Sequence, residues 1–223
     1  MLDLLECRDK LLVDGWAVVP PSPESLIVAN ACANLPLEFI SSGKMFLRKI
    51  FKEDSPNVPQ ELYDFSVRSD ALAVTEAYLK EPVKVASLRL FHSVYVGGPP
   101  LKSQLYHCDG GFDDMVKLFI YCSDVGPENG PFSYLPMAVS SELWKKTDYA
   151  TTRRLTDEQV ERAVGKVTPL QWMGPKGTVC LVDTSKMFHF GARVNKGAAP
   201  RLVVAIQYVR ASENVRACHD EYA

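Results

Sequence analysis

From Val83 to Val209 the chain is broken by turn-forming clusters at short intervals: Gly97-Gly-Pro-Pro, Asp109-Gly-Gly, Gly126-Pro-Glu-Asn-Gly, Gly174-Pro-Lys-Gly and Asn195-Lys-Gly. Between them lie brief segments rich in β-branched and aromatic residues: 83–96, 105–107, 115–122, 132–135, 167–172, 178–182, 186–190 and 202–209. Strands this short and this regularly interrupted pair antiparallel and close into a sandwich, jelly roll or small barrel. Two helices interrupt them, over 141–149 and 156–164, the second opened by a capping box from Thr156 to Gln159. The first 82 residues follow another grammar. Apolar residues at helical spacing run to Gly15, Trp16–Val19 reads as a strand, and Ser22-Pro23 starts a helix reaching about Leu35. Residues 41–57 are mixed, and Pro59 to Leu79 reads as one long helix ended by Pro82. The expected architecture is mainly β (α+β). Residues 1–82 act as helical support on one outer face, 83–210 form the β core and 211–223 a tail, all within one domain.

Composition narrows the function classes. With 25 basic against 27 acidic residues the net charge is −2, and no long basic block suggests a nucleic-acid partner. No apolar run is long enough to span a membrane, and the start resembles neither a secretory signal nor a transit peptide. Six scattered cysteines without a CxxC read as free thiols in a reducing compartment, so a cytoplasmic location is expected. Cys122 and Cys180 sit in apolar strand segments, where cysteine packs as a small hydrophobe.

Histidine is scarce: His92, His107, His189 and His219. In His107-Cys108-Asp109 the first and third side chains of an extended segment point the same way, so both can approach one ion while Cys108 points away. Alone, such a pair also reads as a hydrogen-bonded turn. His189, at the end of a late strand segment, is the candidate third ligand. Two neutral imidazoles and one carboxylate make the facial triad of non-haem Fe(II) oxygenases, which leaves positions for a chelating co-substrate and O₂. Arg201, twelve residues after His189, leads an apolar strand, where its always-charged fork suits a carboxylate. Arg193 is its rival. Lys117 and Phe119 alternate along one strand and share a face. Tyr95 and Gln104 precede the ligand segment and are candidates for hydrogen bonds to a co-substrate or a ligand. His92, without an acidic residue two positions away, reads as packed or surface. The Lys44, Arg48, Lys49, Lys52 cluster reads either as a wet face or as a dock for an anionic substrate.

These motifs resemble the Fe(II)/2-oxoglutarate-dependent oxygenases, and within them the phytanoyl-CoA dioxygenase (PhyH-like) family. The resemblance rests on Asp14-Gly-Trp-Ala-Val-Val-Pro, on Tyr106-His-Cys-Asp, on the stretch from Lys117 through Glu128-Asn-Gly-Pro to Pro136, on Gly177-Thr-Val-Cys-Leu-Val-Asp and on His189-Phe-Gly-Ala-Arg-Val-Asn. It implies a double-stranded β-helix. It also implies that His107, Asp109 and His189 bind Fe(II) and act in catalysis. Arg201 would hold the C5 carboxylate of 2-oxoglutarate; from their positions in the sequence, Lys117 and Phe119 are candidates to line that pocket, and Gln104 and Tyr95 to hydrogen-bond the co-substrate or a ligand. The implied reaction uses O₂ to hydroxylate a small molecule and releases succinate and CO₂. Related halogenases lack the carboxylate, so Asp109 favours hydroxylation. Met137-Ala-Val departs from the family's Gly-Ser-His, and the spacing from His189 to Arg201 is one residue longer than the family's. A jelly-roll binding protein without 2-oxoglutarate turnover, and a cupin-type metal enzyme using no 2-oxoglutarate, are the alternative readings.

Overall fold

The computed structural model describes residues 4–38, 44–51, 57–68, 70–110 and 114–213. Four helices come first: α1 (Leu4–Asp14), α2 (Pro23–Ala33), α3 (Gln60–Arg68) and α4 (Asp70–Leu79). Two strands lie among them, β1 (Trp16–Val19) and β2 (Leu47–Phe51). Then follow β3 (Val83–Ser93), β4 (Met115–Tyr121), β5 (Ser133–Tyr134), α5 (Met137–Lys146), α6 (Tyr149–Thr152) and α7 (Asp157–Val164). The chain closes with β6 (Leu170–Gln171), β7 (Val179–Val182), β8 (His189–Phe190) and β9 (Arg201–Arg210). The α2 start is set as its sequence demands: Ser22 accepts from the Ser25 N–H and Pro23 takes the first helical position.

The strands form two sheets. The larger has the order β1-β7-β4-β9-β3-β2 and its pairs are antiparallel; the smaller has the order β6-β5-β8. Both edge strands of the larger sheet, β1 and β2, come from the N-terminal part, so that part supplies sheet as well as helices. The long helix expected over 59–79 is two helices. The Ser66 carbonyl, near the end of the first, accepts a hydrogen bond from the Tyr208 hydroxyl at 3.0 Å. The segment expected as mixed contains β2, paired with β3 through Leu47–Ser93, Arg48–His92 and Lys49–Phe91. The strand expected over 167–172 shortens to two residues, and the helix expected at 141 starts at Met137.

Alternation divides the large sheet into two faces. Leu88, Leu90, Val116, Leu118, Ile120, Leu181, Val204 and Ile206 point to α1–α4 and join Leu11, Val28, Leu62 and Val74 in one buried core. The residues between them point the other way, toward the small sheet. There Phe132, Tyr134, Trp172 and Val182 form a second core. A third, around Tyr106, Leu143, Tyr149, Val160 and Phe188, seats α5–α7 against the ligand-bearing segment. This is the expected jelly-roll arrangement, with helices on one outer face. Among the described residues no helix is long and apolar enough to cross a membrane.

Candidate metal centre

His107 and His189 face each other across the two halves of the fold. Each donates its backbone N–H to the other's carbonyl, at 3.0 and 2.9 Å, and the two form an antiparallel bridge. Side chains of directly opposed residues leave on the same face, so the imidazoles lie together, with ring centroids 4.4 Å apart. Both rings are oriented by the same device. His107 Nδ1 lies 2.9 Å from the Leu105 carbonyl and His189 Nδ1 lies 2.8 Å from the Met187 carbonyl. A carbonyl accepts only, so each Nδ1 carries the hydrogen and each Nε2 keeps its lone pair free, the tautomer a metal ligand needs.

Those Nε2 atoms converge on Asp109: 3.9 Å from His107 to one carboxylate oxygen and 3.6 Å from His189 to the other. One ligand atom from each of the three residues falls within 4.8 Å of the other two, which suits a shared ion. The backbone that presents them is tied at every residue. The Cys108 N–H donates to the Tyr149 hydroxyl at 2.7 Å, and that hydroxyl donates to the Cys108 carbonyl at 3.0 Å. The Asp109 N–H donates to the Thr184 carbonyl at 2.8 Å. Phe132 stacks on the His189 ring at 5.0 Å, and Trp172 stacks behind Phe132 at 4.8 Å.

Electrostatics keeps the donor set unprotonated near neutral pH. Burial pushes the His107 imidazole down to about 3 and lowers His189 as well. Burial opposes ionisation of Asp109, but the Lys117 ammonium, 2.6 Å from its carboxylate, overcomes this and holds it well below the ordinary range.

The centre lies in the wall of a cavity of roughly 170 Å³. The floor is the inner face of the large sheet, so alternate residues enter it: Met115, Lys117 and Phe119 from β4, Arg201 and Val203 from β9, Arg89 and Phe91 from β3. Lys117 and Phe119 thus share the cavity face, as their spacing implies. Arg201 is only 5% exposed, yet its Nε has no hydrogen-bond partner, and its Nη2 reaches the Ser93 hydroxyl at 3.3 Å. Burial presses its pKa down. A buried guanidinium held without a carboxylate among the described residues suits an acidic ligand. Its rival Arg193 is engaged elsewhere: both terminal nitrogens donate to Asp157 at 2.8 Å, its Nε donates to the Gln104 carbonyl at 2.7 Å, and it lies over the Phe190 ring.

Two other candidates stand outside the cavity. The Gln104 side chain donates to the Ala192 carbonyl at 2.9 Å and accepts from the Leu101 N–H at 3.3 Å, so it holds a loop. Tyr95 is 45% exposed and does not line the cavity. Met137-Ala-Val forms the first turn of α5 and does not line it either. Cys108 packs away from the ligands, in the core with Tyr149 and Phe188. His92 lies outside the metal-ligand group, half-buried on β3. Of the basic cluster, Lys44 and Lys49 line the cavity, while Lys52 and also His219 lie outside the described residues. Arg154 and Phe132 line the cavity without having been anticipated. Phe132 could have been found from its alternation with Tyr134. Arg154 had no local signal, because the Tyr106–Leu155 bridge, between segments far apart in the chain, brings it near His107.

No family model matches the chain, and no curated protein matches its sequence. Solved structures do match its fold. HygX from Streptomyces hygroscopicus, crystallised with nickel and 2-oxoglutarate, superposes with a TM-score of 0.66 at 16% identity, over 93% of this chain and 87% of HygX. The non-haem α-ketoglutarate-dependent carbocyclase SnoK from nogalamycin biosynthesis gives 0.65 at 15% identity, over 92% and 83%. AviO1 from Streptomyces viridochromogenes Tue57 gives 0.61 at 18% identity, over 96% and 98%. The chain therefore has the fold on which these proteins, two of them linked to 2-oxoglutarate, are built.

Proposed function

We propose that the chain is a non-haem Fe(II)/2-oxoglutarate-dependent dioxygenase that hydroxylates an unactivated C–H bond of a small molecule. The observation that supports this reading most is the convergence of His107, Asp109 and His189 within 4.8 Å, in a cavity that also holds the under-paired Arg201. When bound there, Fe(II) with 2-oxoglutarate and O₂ would supply oxidative decarboxylation to succinate and CO₂ and oxidation of the substrate. The residues' own tasks follow from their chemistry. His107 and His189 offer fixed Nε2 lone pairs, and Asp109 fills the third position, the one vacated in related halogenases. Arg201 would hold the C5 carboxylate of 2-oxoglutarate by a charge-assisted fork. Lys117 neutralises Asp109 and stands beside the same space, and Phe119 and Phe132 keep it dry. Such a reaction also suits a single domain of 223 residues acting in the cytoplasm.

HygX has been crystallised with hygromycin B and SnoN, an epimerase, with nogalamycin RO, so small-molecule substrates are at home on this fold. Because SnoN is an epimerase and SnoK a carbocyclase, hydroxylation is the finer part of the proposal. The test is succinate formation from 2-oxoglutarate by the Fe(II)-loaded protein, beside His107→Ala and Asp109→Ala. Turnover by the native protein alone supports the reading. Equal succinate from all three removes it, and leaves a metal- or ligand-binding jelly roll.

A further inference from the structure

The molecule buries a second carboxylate that the proposed centre does not use. Asp183 directly follows β7 and is wholly buried. A lone charge there would be costly, and its oxygens are surrounded by donors. The Tyr78 hydroxyl, from α4, donates to Oδ2 at 2.7 Å, and the Lys186 ammonium lies 2.9 Å from the same oxygen. Oδ1 accepts from the Ser185 N–H at 3.1 Å and from the Ser185 hydroxyl at 2.5 Å. The Asp183 N–H donates to the Gly15 carbonyl at 2.9 Å. These contacts tie down the turn that leads from β7 to β8, and that turn meets the centre at three points. Its Thr184 carbonyl accepts the Asp109 N–H at 2.8 Å. Its Met187 carbonyl takes the hydrogen of His189 Nδ1. It ends on His189 itself. Lys186 adds a fourth link, 2.6 Å from Asp114, which Arg210 also engages at 2.6 Å. One turn therefore holds both ends of the segment 109–114, Asp109 by a carbonyl and Asp114 by an ammonium.

A buried ion pair is a poor device for stability, because desolvation offsets most of its attraction. Directed donors around one carboxylate do something else: they select a single conformation for the backbone they join. We propose that Asp183 is a positioning residue for the metal centre. Together with Lys186 it organises the turn after β7, and so sets where Asp109 and His189 stand and how tightly, and in what geometry, they hold an ion. Tyr78 extends that dependence to α4, on the far side of the large sheet from the cavity. The proposal rests on the metal-ligand part of the dioxygenase reading, and not on 2-oxoglutarate or the reaction.

The test is calorimetric titration of the purified protein with Mn(II), with the electron paramagnetic resonance spectrum of the bound ion as the reading of its surroundings. Asp183→Asn keeps the shape of the side chain but gives up its charge and one acceptor. It is expected to lose about tenfold or more of the Mn(II) affinity and to change the line shape of the bound ion. Lys186→Met, which releases Asp114 as well, is expected to do the same. Lys186→Arg can bridge the same two carboxylates and is expected to keep most of the native affinity. Val28→Ala, in the helical core, is expected to lower the Tm while leaving affinity and line shape native. If Asp183→Asn fails to fold, Lys186→Met, at an exposed residue, carries the test. If the native protein binds Mn(II) and both variants bind it within about threefold as well, the proposal is overturned and the metal centre stands. An equal loss in Val28→Ala also overturns it, because the centre then answers to any loosening of the fold. A native protein that binds no Mn(II) removes the metal centre and this proposal together.

Discussion

Replacing Arg201 by methionine should move two quantities in opposite directions. In the ligand-free protein this guanidinium is 5% exposed, its Nε is without a partner, and its Nη2 bond to Ser93 is long at 3.3 Å. Its charge is therefore taken out of water with little in return. Methionine of similar reach removes that cost, and the ligand-free variant should gain about 1–3 kcal/mol. For a chain of this length that corresponds to roughly 3–10 °C in Tm. With 2-oxoglutarate bound, the same guanidinium would face a carboxylate in a dry cavity. Removing one partner of such a pair costs about 3–4 kcal/mol, or on the order of 10²- to 10³-fold in the apparent affinity for 2-oxoglutarate. Thermal melts without ligand and the 2-oxoglutarate dependence of succinate formation read the two effects. A Tm that falls by several degrees, with a 2-oxoglutarate KM within about threefold of native, would refute the reasoning, because Arg201 would then be holding the fold rather than awaiting an acid.

Lys44 offers a pH-dependent counterpart. Burial lowers its pKa to about 8 from the ordinary 10.5, so the folded state disfavours its charge. The strain is fully present below pH 8 and is relieved as the pH rises toward 10.5; Lys44→Met should stabilise the ligand-free protein by roughly 1–3 kcal/mol at pH 7 and by less at pH 10, as read by urea melts at both. Tyr149→Phe deletes the hydroxyl that joins both backbone groups of Cys108. It leaves a buried N–H unpaired, costing about 1–3 kcal/mol, and should weaken Mn(II) binding measured by calorimetry while circular dichroism stays native. Gly130 has φ +67°, and a Cβ there would meet the Arg193 backbone at 2.8 Å. Gly130→Ala should therefore cost about 2 kcal/mol or more, seen as a lower urea midpoint.

The β half of the fold was legible because strand alternation and turn residues act locally: Lys117 and Phe119 on one face, Val116 and Leu118 on the other, follow from the period of two alone. The same holds for the α2 and α7 starts, where Ser22 and Thr156 cap as their neighbours require. What failed were features decided by distant partners. Leu47–Phe51 is a strand because β3 presents an edge to it, and its sequence, rich in lysine and arginine, gave no periodic signal. The helix over 59–79 divides near a carbonyl that Tyr208, far along the chain, engages. In the site, His107, Asp109 and His189 were readable from residue type and order. The choice between Arg201 and Arg193 needed Asp157, which occupies Arg193. Arg154 needed the Tyr106–Leu155 bridge, and Gln104 was drawn off by the Ala192 carbonyl.

A crystal structure of the protein grown with Mn(II) and 2-oxoglutarate would test the central claim most directly. The account expects one ion bonded to the Nε2 atoms of His107 and His189 and to an Asp109 oxygen, with the far carboxylate of the acid against Arg201. An ion held by other residues, or an acid bound away from Arg201, would contradict it.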